Sequence, residues 1–83
     1  MYKLSFSEQF NRSFSKIKDK VLRKQIWTKI LDLEEKAPLG KKLKGNAYWS
    51  IHINIFRVIY IIQGSKILIL DILYRKKDYR DLI

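Results

Sequence analysis

Between residues 48 and 55, polar and apolar side chains alternate without a break. Trp49, Ile51, Ile53 and Ile55 take one face, and Tyr48, Ser50, His52 and Asn54 take the other. A period of two marks a strand with one dry face and one wet face. The pattern predicts a strand over residues 48–54, with its chemistry on the wet face. A second strand is predicted over residues 56–63, where an apolar run is interrupted by a single arginine, Arg57. A third, over 66–73, is apolar apart from Asp71, as expected of a strand buried on both faces. Gly64 and Ser65 between them read as a hairpin turn. With no helical crossover separating them, these three strands are predicted to pair antiparallel.

The first half of the chain has a different period. Residues 2–6 read as a short strand with Tyr2, Leu4 and Phe6 on one face. Ser5 and Ser7 are both candidate N-caps, and Phe10, Phe14 and Ile17 then recur at helical spacing, giving a helix from 7 to about 17. Asp19 is placed to cap a second helix over 21–36, whose apolar stripe is Leu22, Ile26, Ile30 and Leu33, with Trp27 and Leu31 beside it. This helix carries Arg23 and Lys24 near its start and Asp32, Glu34 and Glu35 near its end. That order opposes the helix dipole, so those charges serve something other than its own stability. Pro38 ends it. A cationic loop follows, in which Lys41, Lys42 and Lys44 surround Leu43 before a turn at Gly45 and Asn46. The order is β-α-α-β-β-β. It predicts one α+β domain over residues 1–83, with a helical hairpin packed on one face of an antiparallel sheet.

Composition adds a partner to this picture. Eighteen Lys and Arg against eight Asp and Glu give a net charge of +10. A small domain so basic suits a polyanion, because neutralised phosphates release counterions. The absence of cysteine excludes disulfides and cysteine-based zinc sites, and a single histidine supports no metal centre. No metal and no small-molecule cofactor are expected. The chain opens on a strand rather than an apolar leader, and its longest apolar run is shorter than a membrane span. These features predict a soluble cytoplasmic protein with no membrane partner.

Three segments resemble a known family: PLGKKLKG at 38–45, YWSIHINIFRVIY at 48–60, and ILILDILYRKKDYR at 67–80. Together with the element order, they are similar to the RelE/ParE toxins of type II toxin–antitoxin systems. The resemblance implies that fold and one of two activities. RelE-like members are ribosome-dependent endoribonucleases that cut mRNA and block translation, and this branch is favoured here. ParE-like members poison DNA gyrase without being nucleases. Both are neutralised by a cognate antitoxin, so antitoxin, ribosome and mRNA are the implied partners. A degenerate, inactive toxin is a third reading.

Carried over residue by residue, the resemblance makes Arg57 and Arg75 phosphate-binding groups. It makes Tyr79 a group that stacks on a base or assists proton transfer. Lys41, Lys42, Lys44, Lys76, Lys77 and Arg80 flank these positions as candidate RNA contacts. The chain departs from the RelE pattern at Tyr74, where a histidine is common, and at His52, where an arginine or lysine is usual. It departs again at Tyr48 and Ser50, which stand where the RelE branch carries lysines.

The residue types fit the chemistry such a nuclease needs. Attack by an RNA 2′-hydroxyl on its own phosphate requires a base, cations for the charge on the phosphoryl oxygens, and an acid for the leaving 5′-oxygen. A guanidinium fork matches two phosphoryl oxygens, which suits Arg57 and Arg75. Histidine is the side chain whose ordinary pKa lies nearest neutrality, so His52 is the candidate base or acid. A competing structural reading pairs Arg57 with Asp71 inside the sheet.

Overall fold

The computed structural model describes residues 1–43, 45 and 47–74. Seven elements follow one another: β1 (Lys3–Phe6), α1 (Glu8–Ser15), α2 (Lys20–Lys36), β2 (Lys41–Lys42), β3 (Trp49–Ile53), β4 (Phe56–Gln63) and β5 (Lys66–Tyr74). They build two helices on one five-stranded sheet of order β1-β5-β4-β3-β2. The predicted α+β arrangement and the order of its elements therefore hold.

The sheet itself is mixed. β5, β4, β3 and β2 pair antiparallel as neighbours, but β1 lies parallel to β5, with Lys3 opposite Lys66 and Phe6 opposite Ile69. An alternating apolar face looks the same in a parallel and an antiparallel strand, so the pattern carried no direction for β1. β2, only two residues long, lies within the stretch that the sequence presents as a cationic loop.

The helices begin where their caps dictate. The Ser7 hydroxyl accepts from the Phe10 N–H at 2.9 Å, and one Asp19 carboxylate oxygen accepts from the N–H groups of Val21 and Leu22. Between the helices, Arg23 donates to the carbonyls of Phe14 and Ile17, both at 2.8 Å, and its guanidinium sits 4.2 Å from the Phe14 ring centre. The basic start of α2 thus serves the C-terminal end of the helix before it. Trp27 stacks on Phe6 and Phe14, which links both helices to β1.

The core fills the space between the helices and the sheet. Phe10, Ile26, Ile30 and Leu33 meet Ile51, Ile53, Phe56, Val58, Tyr60, Ile67, Ile69 and Ile72. Burying a side chain of this size contributes about 1.5–3 kcal/mol, so this cluster dominates stability. Along β4 the core residues alternate strictly. Their partners on β5 do not: Ile72 faces Val58 and Ile69 faces Tyr60, leaving a β-bulge opposite the Ile59–Tyr60 step. No helix among the described residues is long and apolar enough to cross a membrane.

Candidate functional site

Because Ile51 and Ile53 point into the core, their neighbours Ser50 and His52 point away from the helices. The same alternation on β4 turns Arg57 outward while Phe56 and Val58 turn inward. The register then sets His52 directly opposite Arg57. Side chains so paired stand about 4.5–5.5 Å apart at Cβ. The imidazole is exposed, whereas Arg57 is half-buried between its strand neighbours.

These residues form the floor of an open cleft of about 640 Å³, lined by Gly40, Lys41, Lys42, Leu43, Ser50, His52 and Arg57. Lys41 and Lys42 are exposed at its rim, on the edge strand β2, where Lys41 faces Ser50. The arrangement places one imidazole, one guanidinium and two ammonium groups around one open cleft. Charges of one sign around a cleft focus the field within it. Among the described residues, no group of three His, Cys, Asp or Glu side chains is placed to hold a metal ion.

Of the residues expected from sequence, Arg57, His52, Lys41 and Lys42 come together here. Lys44, Arg75, Lys76, Lys77, Tyr79 and Arg80 lie outside the described residues. Asp71 stands opposite Ile59 in the register, whereas Arg57 stands opposite Leu73. One carboxylate oxygen of Asp71 accepts from the Ser13 hydroxyl at 2.8 Å and from the Ile72 N–H at 2.7 Å. The bond from Ser13 attaches α1 to the sheet.

Two more residues line the cleft that the sequence did not single out as site residues: Ser50, already placed on the wet face, and Gly40. Ser50, only 3% exposed, lies on the floor beside His52. Gly40 adopts φ +85°, and a Cβ there would stand 2.1 Å from the Ser50 carbonyl oxygen. Only glycine lets the chain press against β3 at that point. The run Pro38-Leu39-Gly40 marks the end of the helix in sequence, and glycine is the residue that tolerates such positive φ and close approach.

The loop is fastened from the other side by Tyr60. Its hydroxyl donates to the Leu39 carbonyl at 2.6 Å and accepts from the Leu39 N–H at 2.9 Å. Burial pushes the Tyr60 phenol above its ordinary value of 10.0, and the hydrogen bond from Leu39 offsets only part of that. Trp49 stacks across the strand pair on the same ring at 6.3 Å.

The sequence matches, over residues 4–79, the family described as ParE toxin of type II toxin–antitoxin system, parDE. The chain belongs to this family, within the RelE/ParE class, and is the toxin of a type II toxin–antitoxin system. Solved structures agree on the fold. The isolated E. coli RelE toxin superposes with a TM-score of 0.80 at 18% identity, covering 99% of this chain and 95% of that one. The chromosomal ParDE system of P. aeruginosa gives 0.76 at 16% identity, covering 89% and 96%. The YoeB dimer of Staphylococcus aureus gives 0.75 at 25% identity, covering 89% and 97%. No curated protein matches the sequence.

Proposed function

We propose that this toxin is a ribosome-dependent mRNA endoribonuclease that inhibits translation. The observation that carries the reading is the direct cross-strand pairing of His52 and Arg57 on the floor of a cleft rimmed by Lys41 and Lys42. In this reading the RNA backbone enters along the lysines and a phosphate settles against Arg57. His52 takes the 2′-hydroxyl proton as the 2′-oxygen bonds to phosphorus. The bond to the 5′-oxygen breaks, and that oxygen receives a proton from an acid, a role the reading gives to Tyr79. A 2′,3′-cyclic phosphate and a 5′-hydroxyl result. Arg57, joined by Arg75, stabilises the phosphorane charge. Lys44, Lys76, Lys77 and Arg80 extend the RNA contact. No metal takes part.

The partner that silences it is a cognate antitoxin, as in the E. coli RelBE and P. aeruginosa ParDE systems. An acidic, partly disordered segment would complement the +10 charge of this chain and cover the cleft lysines. The site of action is then the cytoplasm.

One observation favours a second reading. The family matched in sequence is that of ParE toxins, and Tyr48 and Ser50 replace the lysines of the RelE branch, so DNA gyrase is the alternative target. Primer extension on an mRNA after induction separates the two. Discrete cuts at ribosome-occupied codons are expected. Intact mRNA, together with loss of supercoiling by purified gyrase, would move the assignment to gyrase.

A further inference from the structure

The core residues of β4 step by two throughout, from Phe56 to Val58 to Tyr60. Their partners on β5 are Tyr74, Ile72 and Ile69, so a step of three separates Ile69 from Ile72. Leu70 is the extra residue. Were the strand to alternate regularly with no bulge, burying Ile67 and Ile69 would turn Asp71 and Leu73 in and Ile72 out. A one-residue slip exchanges the two faces of a strand, so something must hold the bulge in place.

Four hydrogen bonds converge on it, and three of them involve two serines of one helix, the N-cap Ser7 and Ser13 within α1. The Ser7 N–H donates to the Ile69 carbonyl at 2.9 Å, and the Ser7 hydroxyl donates to the Leu70 carbonyl. The Ser13 hydroxyl donates to Asp71, whose same oxygen also accepts the Ile72 N–H. Asp71 is 7% exposed, in a strand otherwise almost wholly apolar. A buried carboxylate with two donors is held firmly, whereas one deprived of a donor is costly.

We infer that Asp71, gripped by Ser13, is a positioning residue that fixes the register of the second half of β5 against β4. That register sets Leu73 across from Arg57 and delivers the chain at Tyr74 to the sequence carrying Arg75 and Tyr79. The functional part of this inference rests on the ribonuclease reading; the register part does not.

The test uses the full chain with Ser13→Ala, Asp71→Asn and Asp71→Leu. Cross-strand NOEs are recorded for the pairs Phe56–Tyr74 and Val58–Ile72 beyond the bulge, and Ile61–Leu68 before it. RNA cleavage is measured on programmed ribosomes. In Asp71→Leu the far pairs lose their NOEs while Ile61–Leu68 keeps them, and cleavage falls at least tenfold. Asp71→Asn retains an acceptor oxygen and restores both readouts. Ser13→Ala, the milder change, weakens the far pairs alone. Uniform loss along β4 and β5 would reduce Asp71 to a general stabiliser and overturn the inference, as would unchanged NOEs in both Asp71→Leu and Ser13→Ala. A wild-type chain that cleaves no RNA defeats the ribonuclease reading, while the NOE pattern still decides the register.

Discussion

Tyr60 and Leu39 are joined at two points: the phenol donates to the Leu39 carbonyl and accepts from the Leu39 N–H. A fully buried strand residue thereby satisfies both backbone groups of a residue in the loop that leads into the cleft. Tyr60→Phe leaves both groups without that partner. It is expected to lower stability at neutral pH by about 1–3 kcal/mol, measured by urea unfolding.

The same residue sets a pH dependence. Its folded-state pKa lies above the ordinary 10.0, so the fold favours the protonated phenol. The stabilisation is whole below pH 10.0 and is lost as pH rises from there through the folded-state value. The gap in stability between the wild type and Tyr60→Phe should therefore narrow above that pH. Urea midpoints taken across the alkaline range that run parallel for the two proteins would contradict this assignment.

Gly40→Ala meets two obstacles at once. A non-glycine residue at positive φ costs about 1–3 kcal/mol, and the added methyl also collides with the Ser50 backbone. The expected result is a thermal midpoint well below that of the wild type, with larger chemical-shift changes at Ser50 and Ile51 than elsewhere in β3.

Arg23 holds the end of α1 from α2 through two carbonyls and the Phe14 ring. Arg23→Ala should cost about 1–3 kcal/mol. Arg23→Lys should recover only part of it, because an ammonium lacks the planar guanidinium that stacks on the ring. Amide exchange accelerated at the last turn of α1, with β4 still protected, is the signature to look for.

In the cleft, Arg57→Ala should lower the RNA cleavage rate by about 10²–10³-fold, as loss of a preorganised stabiliser of transition-state charge does. His52→Ala should lower it by about 10²-fold or more, the usual share of a general base. Lys41→Ala and Lys42→Ala should instead weaken RNA binding, each reducing the salt dependence by about one ion. Single-turnover cleavage and titrations at several salt concentrations separate these effects. Full activity in both Arg57→Ala and His52→Ala would remove the pair from catalysis.

Much of this was legible in sequence because the signals were strong and local. The alternation from Tyr48 to Ile55 places Ser50 and His52 on one face, and Ser7 and Asp19 announce both helices. The pairing of His52 with Arg57 was less direct, since register depends on the length of the Asn54–Ile55 turn, where Asn54 takes φ 56°. Long-range facts left no local trace. β1 could have met either edge of the sheet, and Asp71 resembled a charge awaiting a cation until Ser13, 58 positions earlier, proved to be its partner. The purpose of Arg23 was hidden likewise, because its beneficiary is the preceding helix.

The parallel pairing of β1 with β5 also governs when the sheet can close. Lys3 waits for Lys66, and Phe6 for Ile69, so a nascent chain can wind its helical hairpin early while its first strand still lacks its partner in the sheet. The rest of the sheet must emerge before that opening segment docks. Contacts across such long loops fold slowly, which makes closure by β1 a late event in the birth of the toxin. Until then its first strand lacks the ladder of hydrogen bonds to β5.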